Sequence, residues 1–365
     1  MSGENSNRAT LASRMSKSRL RAPLPSTAPE SSRCPPLTTP VRTTARANHA
    51  GEYSSRRPRP CRGMGVPDTL PRMADRHQSG IFREPSSHHV FLEFGFRDAP
   101  KQLRLDGLSV APISTGSEVV AFGPRLTASL DVLTSPPGMR AFAPIEGIQG
   151  FSAPATQQDL FVWLHGAERD ELFARALDWR EALAPVARIA REEQGFMFRD
   201  SRDLTGFVDG SANPKDDARF RAALLDGELA GGSFVLAQRW LHDLTGFWAL
   251  PVADQERVIG RTKPDSVELT GDAMPPDSHV SRTDIARGGE AVKIYRRSSP
   301  VGGVRDAGLY FLAFSANLDR FDWLLQSMFG LSDDGRRDRL LGYSKPVSGS
   351  FFYAPPLDVL LACMG

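Results

Sequence analysis

Apolar residues recur at every second position from Val90 onward, where Val90, Leu92, Phe94 and Phe96 are separated by single residues. This spacing is typical of a β-strand. Similar patterns predict strands over 118–122 and 160–164. Apolar residues at helical spacing predict a helix over 169–183, and the segment 100–112 is expected to supply a further helix although it contains Gly107.

A second cycle of the same kind of pattern begins near Gly232. It predicts strands over 233–240, 292–298 and 309–315, and helices over 254–260 and 318–329. Strands and helices thus recur twice in similar order. The sequence therefore predicts an α+β protein with two ferredoxin-like domains, each an antiparallel sheet with helices packed on one face.

The first 75 residues differ from the rest in composition, with ten prolines and a single aromatic residue, Tyr53. Such a segment buries too little apolar surface to offset the entropy of ordering, so residues 1–75 are predicted to be a disordered basic tail. Two alternatives remain for this segment. It is a targeting sequence, or translation starts at Met64 or Met73 and the residues before that methionine are not part of the protein. The rest of the chain is predicted to form a first domain over 76–200, an inter-domain segment over 201–231 and a second domain over 232–365.

Charge and cysteine content narrow the possible functions of the 365-residue chain. Residues 1–75 hold 13 Lys and Arg against 5 Asp and Glu, which leaves 32 against 38 in the remainder, and this acidic balance gives no reason to expect nucleic acid. No apolar run approaches the roughly 18 residues of a membrane helix. Cys34, Cys61 and Cys363 lie far apart, which argues against disulfides or a thiolate zinc site and favours the cytoplasm.

The segment GFVDGSANP at 206–214 joins the two cycles and carries one carboxylate, Asp209. Asp-Gly and Asn-Pro are ordinary turn formers, so a surface turn is one interpretation. The apolar approach through Phe207 and Val208 favours a second interpretation, in which Asp209 lies at the floor of a crevice between domains.

A histidine, His279, precedes a predicted strand on which Val292, Ile294, Arg296 and Ser298 share one face. If this face points inward, Arg296 is buried and requires a compensating anion. An Arg–Asp ion pair that holds the domains together and an Arg–Asp pair that faces an anionic ligand both satisfy this requirement, and spacing alone leaves the two open.

Four motifs together resemble the dye-decolorising peroxidases, specifically the compact B-type branch. They are GFVDGSANP at 206–214, QERVIGRTKPD at 255–265, DSHVSRTDI at 277–285 and IYRRSSPVGG at 294–303. The resemblance extends from about Gly80 to the C-terminus. It implies a peroxidase with one haem b per chain that uses H2O2 and an oxyferryl intermediate to oxidise dyes or small aromatic donors, and it implies a homo-oligomer.

The resemblance also implies roles for individual residues. His279 would bind the iron, and Asp209 and Arg296 would be the catalytic acid–base and the catalytic cation on the other side of the haem. Ser298 stands where many B-type members have asparagine, and its shorter hydroxyl would reach a ligand from further away.

Further haem contacts follow more loosely from the same resemblance. Arg282 would bind a haem propionate, and either Phe311 or Leu312 would wall the pocket. Asp284, the nearest downstream carboxylate, would orient His279. An alternative function is haem storage or iron release of the deferrochelatase kind. Packaging inside an encapsulating shell is not predicted, because the chain stops at Gly365 without a long extension.

Overall fold

The computed structural model describes residues 76–103, 105 and 107–364, so the predicted tail over 1–75 lies outside the described residues. Within the described part, strands of both halves of the chain form one antiparallel sheet. The strands of the first half are β1 (His88–Phe96), β2 (Glu118–Phe122), β3 (Ile145–Glu146), β4 (Ser152–Ala153), β5 (Leu160–Gly166) and β6 (Ala187–Phe196).

The second half supplies the remaining strands. These are β7 (Ser233–His242), β8 (Ala286–Arg287), β9 (Glu290–Ala291), β10 (Tyr295–Arg296), β11 (Ser299–Val301), β12 (Gly308–Ser315), β13 (Ser344–Pro346) and β14 (Ser350–Ala354). Two short hairpins, β3 with β4 and β8 with β9, stand apart from the main sheet.

Helices pack against this sheet. In chain order they are α1 (Ala111–Thr115), α2 (Pro124–Ser129), α3 (Arg169–Leu183), α4 (Asp216–Ala223), α5 (Leu244–Trp248), α6 (Val252–Ile259), α7 (His279–Thr283), α8 (Asp319–Met328) and α9 (Leu357–Cys363). In the described part of the chain, none of them combines the length and the apolar character needed to cross a membrane.

The two halves repeat one topology, which confirms the predicted fold class. The first half has the strand order β6-β1-β5-β2 and the second has β14-β7-β12-β11, so in each half the fourth strand lies beside the first, then the third, then the second. The halves join where β14 pairs with β2 and β11 pairs with β6, and the β12–β7 pairing closes the ring. The result is a barrel to which both predicted domains contribute half, while their boundaries stay a prediction.

Side-chain alternation sorts the apolar residues into layers inside and outside the barrel. The interior holds large side chains from both halves, among them Phe91, Trp163, Tyr310 and Phe352. Outside, α3 and α9 pack on the first half-sheet, and α8 packs on the second.

Most predicted elements are confirmed, and two are not. The helix predicted over 100–112 is wrong among the described residues there, because the backbone turns at Gly107 with φ +82° and the helix begins only at Ala111. The strand predicted over 292–298 is reduced to β10, followed by β11, because the ladder with β12 is interrupted between Arg296 and Ser299.

Two histidines inside the barrel are held in the neutral form. The ring of His165 stacks on that of Trp163, with their centres 4.1 Å apart. Trp163 Nε1 donates a hydrogen bond to His89 Nδ1 at 3.2 Å. Burial, together with the charge of Arg297, lowers the pKa of His89 to about 3 and that of His165 to about 2.

These histidines should make the protein sensitive to acid. Their folded-state pKa values lie below the ordinary 6.5, so the stability that they contribute is complete above that pH and is lost as the pH falls toward 3. Each should remove up to ~1.4 kcal/mol of unfolding free energy per pH unit. We expect His165→Phe, which keeps the stacked ring, to lose one such contribution when urea unfolding is compared at pH 7.5 and pH 5.

Phe94, a buried apolar residue on the outer face of the same sheet, supplies the control. Phe94→Leu removes no titratable group, so it should leave the pH dependence of the wild type unchanged. Equal pH dependence in the wild type and in His165→Phe would show that His165 is protonated in the folded protein.

Candidate active site

A cavity of about 300 Å³ lies between the outer face of the second half-sheet and the helices that cover it. This volume falls within the range of small-molecule and cofactor pockets. Apolar side chains form most of its wall, namely Leu236, Ile259, Leu309, Phe311, Phe321, Leu324, Leu325 and Met328.

His279 enters the cavity from the first residue of α7. The residue before it, Ser278, caps this helix by accepting a hydrogen bond from the Ser281 N–H at 3.2 Å. Gly260, with φ +93°, ends α6 directly against this cap, and a Cβ there would lie 2.9 Å from both Ser278 Oγ and Val280 Cβ. The close approach therefore requires glycine and sets the position of His279.

The hydrogen-bond partner of His279 is Asp338. His279 Nδ1 lies 2.7 Å from Asp338 Oδ2, and the carboxylate is fully buried. Because a carboxylate only accepts, Nδ1 carries the proton and Nε2 is left as the electron-pair donor toward a ligand. The second oxygen, Asp338 Oδ1, accepts from the Leu340 N–H at 2.8 Å and so fixes the carboxylate itself.

Asp284 was therefore the wrong partner for His279. It forms an exposed ion pair with Lys293 at 2.7 Å, at the edge of the cavity. Asp284 is close to His279 in sequence, but its carboxylate pairs with Lys293. Asp338 follows α8 and is far from His279 in sequence, yet the fold brings it beside the imidazole.

Asp209 and Arg296 face each other in the same cavity. Arg296 Nη1 lies 3.9 Å from Asp209 Oδ1, and both side chains are 25% exposed. This distance is longer than a hydrogen bond, so the two groups attract each other as opposite charges but are not hydrogen-bonded. Val292, Ile294 and Arg296 all line the cavity, but Lys293 does so as well and Ser298 does not, so the predicted alternation over 292–298 holds only in part.

Asn213 connects the two segments that carry this pair. Its Nδ2 donates to the Arg296 carbonyl at 2.8 Å, and its Oδ1 accepts from the Arg296 N–H at 2.9 Å. The loop carrying Asp209 is thereby fastened to β10 beside Arg296. Sequence reasoning recognised Asn213 only as a turn former, although an amide before proline can equally bond to a neighbouring backbone.

The buried guanidinium directly after β10 is Arg297, which is 8% exposed and points into the barrel. It donates to the carbonyls of Ile81 and Arg83 at 2.8 Å each, and it lies 4.9 Å from the centre of the Trp163 ring. Carbonyl oxygens and an aromatic face thus take the place of the anion expected for a buried arginine. Burial lowers the pKa of Arg297.

The other predicted site residues divide between the cavity and its surroundings. Phe311 lines the cavity, whereas Leu312 packs inside the barrel, because adjacent strand residues face opposite sides. Ser298 Oγ accepts from the Leu312 N–H at 3.4 Å and is absent from the cavity wall. Arg282 is held outside the wall by both carboxylate oxygens of Asp334, at 3.0 and 2.9 Å.

A polar chain at one end of the cavity was not predicted. His242 Nδ1 lies 2.8 Å from Ser344 Oγ, and His242 Nε2 lies 3.1 Å from Asp203 Oδ1. Burial alone would raise the pKa of Asp203, but His242 and hydrogen bonds from His242 and Thr205 outweigh it and hold that pKa below its usual value. The sequence signal was a histidine at the end of a strand whose alternate residues face the cavity.

The residues present fit a haem. An imidazole with its Nδ1 anchored on a carboxylate is the usual axial ligand arrangement. The walls are apolar, as a porphyrin requires, and two buried polar side chains, Gln238 and Trp240, have side-chain atoms without hydrogen-bond partners in the described structure. A barrel of two ferredoxin-like halves with this cavity fits a haem-binding protein.

Comparison with known proteins supports this class. The sequence profile described as Dyp-type peroxidase, C-terminal, matches residues 200–359. A dye-decolorizing peroxidase of Mycobacterium tuberculosis is 34% identical over 275 residues, which cover 73% of this chain and 77% of the relative. The equivalent protein of Mycolicibacterium paratuberculosis is also 34% identical, with 73% of each chain covered.

Solved structures agree with the sequence relatives. A DyP-type peroxidase protein from Shewanella oneidensis matches with a TM-score of 0.73 and 33% identity, covering 79% of this chain and 98% of its own. A variant of DypB from Rhodococcus jostii RHA1 in complex with heme matches with a TM-score of 0.72 and 32% identity, covering 77% and 97%. The chain belongs to the dye-decolorising peroxidase family, and it is a haem peroxidase.

Proposed function

We propose that the cavity binds one haem b per chain, that His279 Nε2 binds its iron, and that Asp209 and Arg296 act on H2O2 from the opposite wall. The observation that carries this proposal is the placement of the three side chains. His279 stands on the helix wall with its Nδ1 fixed 2.7 Å from Asp338, while the Asp209–Arg296 pair stays open at 3.9 Å near the sheet wall.

Bound haem supplies a redox-active iron and ring that accept oxidising equivalents from peroxide. The chain's own residues manage the protons and the charge. Asp209, as a carboxylate, takes a proton from one oxygen of H2O2 and returns it to the other, so that the second oxygen departs as water. Arg296 donates N–H groups to the oxygen on which negative charge builds up as the bond breaks.

Asp338 and Asn213 position these groups without touching the substrate. Asp338 fixes the tautomer and orientation of His279 and increases the electron donation of its imidazole. Asn213 holds the backbone of Arg296 and so fixes how far its guanidinium lies from Asp209. Arg282 is not part of this proposal, because Asp334 occupies its guanidinium.

The reducing substrates we propose are dyes and small aromatic one-electron donors. A homo-oligomeric state follows only from the resemblance, and a cytoplasmic location only from the cysteine content. No observation favours haem storage or iron release as the function.

Haemin titration followed by peroxide tests the proposal. The protein should bind one haemin per chain with a sharp Soret band, and H2O2 should change this spectrum rapidly and reversibly when guaiacol is present. No metal-free protoporphyrin should accumulate. A stable haemin complex whose spectrum is indifferent to H2O2, or one that releases protoporphyrin, would contradict the proposal.

A further inference from the structure

Two polar side chains on β7 enter the cavity without partners. Gln238 is fully buried and Trp240 is 7% exposed, and both line the cavity. Gln238 Nε2, Gln238 Oε1 and Trp240 Nε1 are buried and have no hydrogen-bond partner among the described residues. Buried donors and acceptors in folded proteins are nearly always paired, so a ligand is expected to complete these groups.

The strand geometry places the two side chains on the same face of the sheet. Residues two apart on a strand face the same side, with their Cα atoms roughly 6.8 Å apart. Side chains of the length of glutamine and tryptophan can converge over that distance on one small acceptor. Two donors that converge suit a carboxylate, which has two acceptor oxygens.

The position of Gln238 separates it from the peroxide-binding pair. Gln238 pairs with Phe311 across the β7–β12 ladder, whereas Arg296 pairs with Ala313 on the far side of β12. The backbones of Gln238 and Arg296 are thus two strands apart, a distance on the order of 10 Å. They are also offset by two residues along β12. A group bound by Gln238 therefore lies away from the site where Asp209 and Arg296 meet.

The haem edge offers a single kind of group for such donors. A haem b ring is apolar except for its two carboxylates. Arg282, the side chain that the sequence suggested for a carboxylate, is held by Asp334 outside the cavity wall. Gln238 can also pair with a protonated carboxyl group through both Nε2 and Oε1.

We propose that Gln238 Nε2 and Trp240 Nε1 donate hydrogen bonds to one carboxylate of the bound haem and so set its orientation and retention. This inference rests on the proposed function, because it requires that haem occupy the cavity. Gln238 and Trp240 are cofactor-binding residues in this proposal and take no part in proton transfer to peroxide.

Release of two porphyrins tests the proposal. The wild type, Gln238→Leu, Gln238→Glu and Trp240→Phe are loaded with haemin or with haemin dimethyl ester, whose carboxylates are capped. Release is followed by transfer to excess apomyoglobin in the Soret region. Gln238→Leu and Trp240→Phe should each release haemin roughly 10- to 100-fold faster than the wild type, and Gln238→Glu faster still because like charges meet.

The dimethyl ester makes the result specific. Its release should differ far less among these variants, since it has no carboxylate charge to lose. Trp179→Phe is the control, because Trp179 lies on α3, which packs on the first half-sheet away from the cavity, and its replacement should leave haemin release unchanged. Trp240→Phe keeps an aromatic ring in the wall, so the test remains valid if Gln238 variants fold poorly.

The outcomes separate this inference from the proposed function. Equal acceleration of haemin and ester release would overturn the inference, because it would indicate lost packing. Unchanged release of haemin with a slower reaction with H2O2 would also overturn it and would assign Gln238 to peroxide. Failure of the wild type to retain haemin would overturn the proposed function, and this inference with it.

Discussion

His279→Ala should abolish stable haem binding and, with it, peroxidase turnover. Removal of the imidazole leaves the cavity without the nitrogen that Asp338 orients. Loss of an outer-shell partner alone costs metal sites roughly 10- to 100-fold in affinity, so loss of the ligand should exceed 100-fold. Haemin titration monitored by the Soret band measures the affinity directly.

A chemical rescue strengthens this experiment. Free imidazole should enter the space left in His279→Ala and restore part of the haemin affinity, whereas His88→Ala, outside the cavity, should behave like the wild type without it. If His279→Ala bound haemin with the stoichiometry and spectrum of the wild type, the assignment of the iron ligand would be wrong.

Arg296→Leu should slow the reaction with H2O2 by roughly 100- to 1000-fold while haem remains bound. The guanidinium is the cation beside Asp209, and leucine retains much of the aliphatic packing of the side chain. Asp209→Asn, which preserves shape and removes the proton acceptor, should slow it by roughly 100-fold or more. Stopped-flow spectroscopy of the haem-loaded variants gives the second-order rate constants.

The double variant distinguishes cooperation from independent effects. Because both groups act on the same peroxide bond, Arg296→Leu with Asp209→Asn should be little slower than the slower single variant. Arg287→Leu, which removes an exposed arginine of β8, should react like the wild type. Wild-type rates in either single variant would show that the pair does not handle peroxide.

Local periodicity allowed much of the fold to be predicted. The strand over Glu118–Phe122 and the helix over Arg169–Leu183 have the predicted bounds, because each pattern depends only on residues within one element. The opposite orientation of the neighbours Tyr295 and Arg296, one inside the barrel and one at the cavity, follows from the same alternation.

Closure of the barrel could not be predicted from local periodicity. Pairing of β14 with β2 and of β11 with β6 joins residues more than 100 positions apart, and no local pattern records a partner at that distance. The choice between Phe311 and Leu312 stayed open for a related reason. Both faces of β12 carry apolar residues, so apolar character alone could not indicate which face lines the cavity.

Site residues that lie within a recognised motif could be predicted. A residue that is distant in sequence and reaches the site only through folding could not. Asp209, His279 and Arg296 lie in the recognised motifs and converge on one cavity. Asp338 lies in a run of charged residues that resembles a solvated loop, yet it is fully buried beneath His279. Gln238 had no sequence signal beyond its place on a strand.

The central claim is that an iron held by His279 lies between that imidazole and the Asp209–Arg296 pair. Crystallography of the haem-loaded protein with data collected at the iron absorption edge locates the metal independently of any assumption about the site. We expect a single anomalous peak within coordination distance of His279 Nε2, on the side of the cavity facing Asp209 and Arg296. An iron peak bound by another side chain, or one outside this cavity, would contradict the account.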